Sequence, residues 1–109
     1  MRMWGVDPKL MCRKHLLGEH VEMHMFAGTI LADRSLKGFL SKGLLETHSL
    51  RKRHRFLVRE MKRRGYNHRS ELPSFIVTKL GKIDRKKNLK ELASRCKDCK
   101  DIQQNGLVV

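Results

Sequence analysis

Residues 7–32 have a helical sequence with apolar side chains on nearly every face. At about 100° per residue, Leu17 and Val21 lie on one side of the helix, and Leu16 and Met23 lie on the opposite side. A helix that is apolar nearly all round is normally buried among other helices. We therefore expect an all-α fold, a compact single-domain helical bundle in which the first helix is threaded between the others.

Capping residues predict where the helices begin and end. The first helix opens with Asp7, a good N-cap, followed by a proline, which is tolerated at the first helical position. A second helix is expected at 36–42, and a third between the N-cap Ser49 and the stop signal Gly65. Asp84 caps a fourth helix after a long loop.

The chain length of 109 residues fits one domain, residues 1–109, and we expect its polar tail after about residue 99 to be flexible. No run of about 18 apolar residues is present, which argues against a membrane-spanning helix. Three cysteines, an odd number, argue against a secreted disulfide scaffold. We therefore expect a reduced, cytoplasmic protein that does not act at a membrane.

Positive charge is concentrated in the middle of the chain. The formal net charge is +14, and residues 31–70 carry twelve basic and three acidic residues. The densest stretch, residues 51–64, has eight basic residues opposed only by Glu60. Such a field favours a polyanionic partner over a basic surface that serves solubility alone. A membrane-surface role is disfavoured because the predicted third helix lacks a bulky aromatic face.

The cysteines and histidines give one incomplete metal-binding pattern. Cys96 and Cys99 form a C-x-x-C pair, but a structural zinc site needs four ligands. Cys12 and the histidines supply no obvious second pair, and a redox dithiol would need a βαβ context. His20 and His24 are spaced i, i+4, and such a pair on a helix is more often structural than metal-binding. We therefore predict inert thiols, no metal and no cofactor.

Three polar side chains share one narrow sector of the otherwise apolar first helix. His15, Glu19 and Glu22 are spaced i, i+4, i+7, which places them on the same face. A carboxylate and an imidazole on such a face either form a hydrogen-bonded network in the core or line a cleft. The spacing alone leaves both interpretations open.

Two segments resemble the pyrimidine-dimer DNA glycosylases, the phage endonuclease V family. Residues 15–22, His-Leu-Leu-Gly-Glu-His-Val-Glu, are similar to the first helix of that family. Residues 50–67, which begin Leu-Arg-Lys-Arg-His-Arg-Phe-Leu-Val and end Gly-Tyr-Asn, resemble its third-helix segment almost position for position. The two matches keep their order, and the resemblance covers residues 1–69. It implies a compact all-α fold whose first helix passes between the others.

The resemblance implies a repair enzyme that excises a damaged pyrimidine, with ultraviolet-induced pyrimidine dimers as the expected lesion. Such enzymes then cut the strand at the abasic site without a metal. The family nucleophile is the N-terminal α-amine, whose matching position is Met1; the long side chain of Arg2 argues against removal of this residue. Glu22 matches the family glutamate that assists the reaction. An α-amine suits this role because α-amino groups titrate near about 7.7–8.0, compared with about 10.4 for lysine.

Resemblance and charge together imply that a monomer binds double-stranded DNA, damaged or abasic, in association with nucleoid or viral DNA. Val21 and Met25 stand where the phage enzyme has arginines that contact phosphates, and its aromatic-rich C-terminal segment has no counterpart here. Lyase chemistry is therefore a more direct inference than dimer specificity. The predicted DNA-contacting residues are Arg2, His15, Arg51, Lys52, Arg55, Arg59 and Arg69.

Two alternative functions share most of these features. One is a non-enzymatic basic helical module that binds DNA or RNA, and the other is a glycosylase of the same fold that acts on another modified base. A module that only binds needs neither a free amine at Met1 nor a carboxylate at Glu22. These two residues therefore distinguish an enzyme from a binding protein.

Overall fold

The computed structural model describes residues 1–106, and every regular element within that range is helical. This confirms the predicted all-α fold. Within the same residues, no helix has both the length and the apolar character of a membrane span. In chain order the elements are a 3₁₀ turn at Pro8–Leu10, α1 at Arg13–Leu31, α2 at Lys37–Ser41, a second 3₁₀ turn at Thr47–Ser49, α3 at Leu50–Arg63, α4 at Arg85–Arg95 and α5 at Lys97–Gly106.

Helices α1 and α3 pack against each other at the centre of the core. The buried residues of α1 follow one stripe, in which Leu16, Met23 and Phe26 are fully enclosed. The buried stripe of α3 includes Leu50 and Leu57. Fully burying an apolar side chain of this size stabilises the fold by about 1.5–3 kcal/mol. Matching stripes at helical spacing therefore hold these two helices together.

The apolar residues on the other side of α1 are not enclosed. Val21 is 54% exposed, and Met25 is 50% exposed. The all-round apolar pattern therefore overestimated how much of the α1 surface is covered. Val21 instead lines an open cleft.

A buried ion pair joins α1 to α3. The Arg53 guanidinium donates from Nε to Glu19 Oε2 at 2.6 Å and from Nη2 to Glu19 Oε1 at 2.8 Å. Its Nη1 donates to the Val6 carbonyl at 2.7 Å, which ties the N-terminal segment to the same point. Glu19 is therefore part of a hydrogen-bonded network in the core. This is the first of the two interpretations, core network or cleft lining, that the spacing of the polar sector left open.

The prediction that Asp7 opens α1 is wrong. Its side chain accepts a hydrogen bond from Lys9 N at 3.0 Å, but this caps only the first 3₁₀ turn. The backbone is extended at Met11 and Cys12, and α1 begins after them. Arg64 stabilises the break because its Nη2 donates to the Met11 carbonyl at 2.6 Å, a group that a continuous helix would have used internally.

The N-terminal segment runs through the core and fixes the position of the first residue. Met3 and Trp4 are buried, and the Met3 N–H donates to the Leu44 carbonyl at 2.7 Å. Gly5 has a φ of +68°, a left-handed conformation that residues with a Cβ rarely adopt, and a Cβ there would also meet the end of the Ile83 side chain. The backbone conformation therefore favours glycine at this position.

The predicted boundaries of α3 and the predicted start of α4 are confirmed. α3 lies between Ser49 and Gly65, whose φ of +84° is the left-handed conformation typical of a helix stop. Asp84 caps α4 by accepting a hydrogen bond from a first-turn N–H at 3.0 Å. The loop between them is anchored where the Thr47 N–H donates to the Leu80 carbonyl at 2.9 Å.

A fifth helix replaces the flexible tail that we predicted after about residue 99. α5 buries Cys99 completely, and it buries Gln103 one turn later. The polar composition concealed this helix, because its stability comes from packing a narrow face against the core and not from helix propensity. The rest of the predicted tail, residues 107–109, lies outside the described residues.

Candidate active site

A cleft of about 1000 Å³ opens beside the first residue of the chain. The N-terminal segment, α1 and α4 supply most of its lining, and the end of α2 and the loop before α4 supply the rest. Its lining includes the N-terminal amine and the polar and aromatic side chains next to it. These residues are Met1, Arg2, Trp4, His15, Glu22, Asn88 and Glu91.

The N-terminal nitrogen and one carboxylate face each other in this cleft. The Met1 nitrogen lies 3.7 Å from Glu22 Oε1, and the two side chains are 18% and 27% exposed. Burial raises the pKa of the Glu22 carboxyl, an effect that the adjacent amine opposes. The cleft therefore contains a primary amine next to a carboxyl group that can exchange protons with it or with a ligand.

Arg2 holds the start of the chain against α4. Its Nη2 donates to Asn88 Oδ1 at 2.8 Å and to Glu91 Oε2 at 3.1 Å. The guanidinium carbon also lies 3.9 Å from the centre of the Trp4 ring, and Asn88 donates to the Trp4 carbonyl at 2.8 Å. Arg2, which we expected to contact DNA, therefore makes its contacts within the protein and restrains the neighbouring amine.

Five exposed cations surround the cleft, and the sequence analysis did not identify them. They come from α1, the end of α2, the loop before α4, and α4 itself, so no charge-dense segment marks them. Four carboxylate side chains line the same cleft, those of Glu22, Asp84 and Glu91 and the buried Glu19 that is paired with Arg53. The exposed cations are Lys14, Lys42, Lys82, Lys87 and Arg95.

The cations predicted from the dense third-helix segment form a separate surface. Arg51, Lys52, Arg55 and Arg59 are exposed on α3, and none of them is among the described residues that line the cleft. Arg51 also donates to the Pro73 carbonyl at 2.7 Å. The molecule therefore presents a basic α3 surface in addition to the cationic rim of the cleft. Arg69 is likewise exposed, in the loop that follows α3.

His15 borders the cleft but turns one ring nitrogen towards thiols. Its Nδ1 lies 3.3 Å from Cys12 Sγ and 3.6 Å from Cys99 Sγ. The ring also meets Trp4 edge to face, with centroids 6.1 Å apart. Burial, assisted by the charge of Lys14, lowers the pKa of the His15 imidazole. The three residues of the polar sector thus have different partners. Glu19 pairs with Arg53, Glu22 faces the Met1 amine, and His15 lies against thiols.

Two clusters of metal-ligating side chains are present, contrary to the prediction that the sequence contains no second ligand pair. In each cluster, one ligand atom per residue lies within 4.8 Å of all the others. The first had a sequence signal, because Cys12 and His15 have the same spacing as the C-x-x-C pair. The second had only a partial signal, the i, i+4 pair of His20 and His24, because α3 and the following loop supply the other two histidines. The clusters are Cys12, His15, Cys96 and Cys99, and His20, His24, His54 and His68.

Comparison with known proteins agrees with the resemblance seen in the sequence. Neither the curated proteins nor the solved structures contain a significant match to this chain. A protein-family model described as pyrimidine dimer DNA glycosylase matches residues 1–74, about two thirds of the chain. That range includes the N-terminal segment, α1 to α3, and both groups of the amine–carboxylate pair. The chain therefore belongs to the pyrimidine dimer DNA glycosylase family.

Proposed function

We propose that this chain excises a damaged pyrimidine from double-stranded DNA and then cuts the strand at the abasic site, with the Met1 amine as nucleophile and Glu22 as the proton-transfer group. Membership of the family implies DNA glycosylase activity. The observation that carries the mechanism is the 3.7 Å separation of the Met1 nitrogen and Glu22 Oε1 in a cleft rimmed by cations.

The first step is nucleophilic substitution at the damaged nucleotide. The neutral amine forms a bond to C1′ of the deoxyribose while the bond from C1′ to the base breaks, and the departing base takes up a proton. The C1′–O4′ bond then opens, O4′ is protonated, and the amine nitrogen and C1′ form an imine. A primary amine supports this covalent route because it can both attack C1′ and form the imine.

Glu22 serves the second step, which cuts the strand. As a carboxylate it stabilises the protonated imine and removes a proton from C2′, and β-elimination then expels the 3′-phosphate. Hydrolysis of the imine returns the free amine. Burial raises the pKa of Glu22, which moves this group closer to the operating pH, where proton transfer is most effective.

The surroundings of the amine support its role because they restrain it before DNA binds. The N-terminal segment is packed in the core through Met3 and Trp4, and Arg2 is bonded to α4. A nucleophile that is already positioned avoids the entropic cost of ordering during the reaction. This arrangement supports a catalytic role for Met1 over a freely mobile N-terminus.

The two basic surfaces support DNA binding with different contributions. We propose that the rim cations, including Lys82 and Lys87, contact the phosphates next to the reacting nucleotide. The α3 surface, including Arg55 and Arg59, contacts phosphates elsewhere on the duplex. Contacts to the phosphate backbone supply affinity and register but carry no base specificity.

Blocking the N-terminus tests the nucleophile. Acetylation of Met1, or an uncleaved N-terminal tag, removes the reactive amine. We expect loss of strand cutting at an abasic site and loss of borohydride trapping, with unchanged duplex affinity. A C-terminally tagged protein is the matched control. If the blocked protein cuts as fast as the control, a lysine such as Lys14 or Lys87 is the nucleophile; if neither protein cuts, the chain only binds.

The substitution Glu22→Gln tests the carboxylate. It preserves shape but removes the proton-accepting charge, so strand cutting should fall by about 10²–10⁴-fold while melting temperature and duplex affinity stay near wild type. Glu19→Gln is the matched control: it weakens the buried pair with Arg53 and should lower stability, by at most the about 3–5 kcal/mol typical of a broken buried pair. A Glu22→Gln protein that melts early yet cuts normally contradicts the proposal.

Paired charge removals separate the two basic surfaces. Lys82→Ala with Lys87→Ala, and Arg55→Ala with Arg59→Ala, each remove two exposed cations. Each lost phosphate contact should reduce the log–log salt slope of duplex binding by about 0.9. Only the rim pair should also slow cutting at saturating DNA. An unchanged slope in either double variant excludes that surface from the DNA interface.

A further inference from the structure

We propose that Cys12, His15, Cys96 and Cys99 bind one zinc ion, which joins the start of α1 to the start of α5. Three thiols and one imidazole are a Cys₃His ligand set, one of those that structural zinc sites use. All three cysteines are free, and Cys12 and Cys99 are buried. Soft thiolate ligands select zinc over the hard cations magnesium and calcium.

The spacing of the donor atoms matches the edges of a zinc-centred tetrahedron. Zn–S bonds of about 2.3 Å and Zn–N bonds of about 2.0–2.1 Å give S···S edges of about 3.8 Å and S···N edges of about 3.5–3.6 Å. Cys12 Sγ lies 3.8 Å from Cys96 Sγ and 3.3 Å from His15 Nδ1. Cys99 Sγ lies 3.6 Å from the same Nδ1. Three of the six edges therefore lie within about 0.3 Å of the tetrahedral values, and all four ligand atoms lie within 4.8 Å of one another.

Each ligand pair occupies the first turn of a helix. Cys12 is the N-cap of α1, with His15 three positions later, and Cys96 directly precedes α5, with Cys99 at the same spacing. The Cys99 N–H donates to Cys96 Sγ at 3.4 Å, and the Cys12 N–H donates to Cys99 Sγ at 3.2 Å. Helix N-termini and N–H···S bonds both stabilise the thiolate, the form that binds metal.

A zinc ion here would have a structural role. Protein atoms fill all four positions of the tetrahedron, which leaves none for a substrate. The ion would link two ligand pairs that lie far apart in the chain. It would also anchor the C-terminal end of α4, the helix that holds Arg2 through Asn88 and Glu91. The metal therefore supports the cleft without taking part in the proposed reaction.

Cobalt substitution tests the thiolate site. Wild-type protein titrated with Co²⁺ should develop a thiolate-to-cobalt charge-transfer band and intense tetrahedral d–d bands, both displaced by Zn²⁺. Cys96→Ser should remove the charge-transfer band or raise the apparent Kd by more than the roughly 10–100-fold cost of losing an outer-shell partner. His15→Cys keeps four ligands and should retain the band.

The wild-type protein alone can overturn this proposal. If it shows no charge-transfer band, and a thiol reagent modifies its cysteines equally fast with and without Zn²⁺, there is no zinc site. This measurement does not depend on whether a cysteine variant folds. His48→Ala is the matched control, because His48 is exposed and lies outside both clusters. Retention of the band in Cys96→Ser at wild-type affinity also contradicts the assignment.

A second site rests on a different observation, a group of buried imidazoles with unpaired nitrogens. In the described part of the chain, His20 Nε2 and both ring nitrogens of His68 are buried and have no hydrogen-bond partner. A buried polar atom with no partner loses the hydrogen bonds that water would give it, so such groups are unfavourable unless something else binds them. Five of the six pairs of ring centroids among His20, His24, His54 and His68 are 4.9–5.3 Å apart, and one nitrogen of each ring lies within 4.8 Å of the other three. A cation at the centre of this group would accept a lone pair from one nitrogen of each ring, which includes His20 and His68.

We infer that these four histidines bind one divalent transition-metal ion. Neutral imidazole is a ligand for zinc, copper and nickel, and His54 Nε2 and His24 Nε2 already lie 3.2 Å apart. Glu71 Oε1, 3.7 Å from His68 Nδ1, supplies a nearby negative charge. The ion would join α1, α3 and the loop after α3. It shares no ligand with the thiolate site, so either site can exist without the other.

Zinc stoichiometry tests the histidine site. Wild-type protein equilibrated with Zn²⁺ and freed of excess metal should retain two ions per chain, measured by elemental analysis. His24→Ala, at a partly exposed position, should retain one and keep the cobalt charge-transfer band, whereas His48→Ala should retain two. A His24→Ala protein that retains as much zinc as the wild type contradicts the histidine site. So does a wild-type protein that retains only one zinc ion, if the Cys96→Ser protein retains none.

Discussion

The buried pair of Glu19 and Arg53 is the interaction on which the cleft depends. The guanidinium bonds both oxygens of a carboxylate on α1 and also the Val6 carbonyl, so it joins two helices and the N-terminal segment at one point. Charges removed from water must be fully paired, which leaves these segments few alternative arrangements. The register of α1 on α3 sets where Glu22 lies, and the Val6 bond restrains the segment that carries Met1. The buried ion pair of Glu19 and Arg53 thus positions the segments that carry the proposed reactive pair, Met1 and Glu22.

The sequence contained the local features of the fold and few of its long-range pairings. The end of α3 and the start of α4 followed from Gly65 and Asp84, because capping depends on residues within one helical turn. α3 also begins after Ser49 as predicted, although the Ser49 hydroxyl donates to Glu46 Oε2 and caps no helix N–H. The break before α1 did not follow, because it depends on carbonyl bonds to Arg64, more than fifty positions away. α5 was missed for a related reason: its few buried residues have their partners at the other end of the chain.

The candidate site shows the same division between local and long-range information. Glu22 and Met1 were identified through a resemblance that covers contiguous segments. The cations of the cleft, such as Lys42 and Lys87, were missed because they are dispersed along the chain and converge only in the fold. Charge density along the sequence indicated α3 instead. The thiol-containing cluster was missed although its two ligand pairs are local in sequence. Cys12-x-x-His15 is recognisable as a ligand pair only once the fold places it beside Cys96-x-x-Cys99.

The bonds from Arg2 to α4 have a consequence for the order of folding. Arg2 and Glu91 are 89 positions apart in the chain, so their contact closes one of the longest loops in the molecule. Closing long loops is entropically costly, and contacts of this kind tend to form after local helices and short loops are in place. We therefore expect the amine to acquire the restraint that Arg2 supplies late, once α4 has docked. Under the proposed mechanism, partly folded forms in which α4 has not docked lack this restraint on the nucleophile.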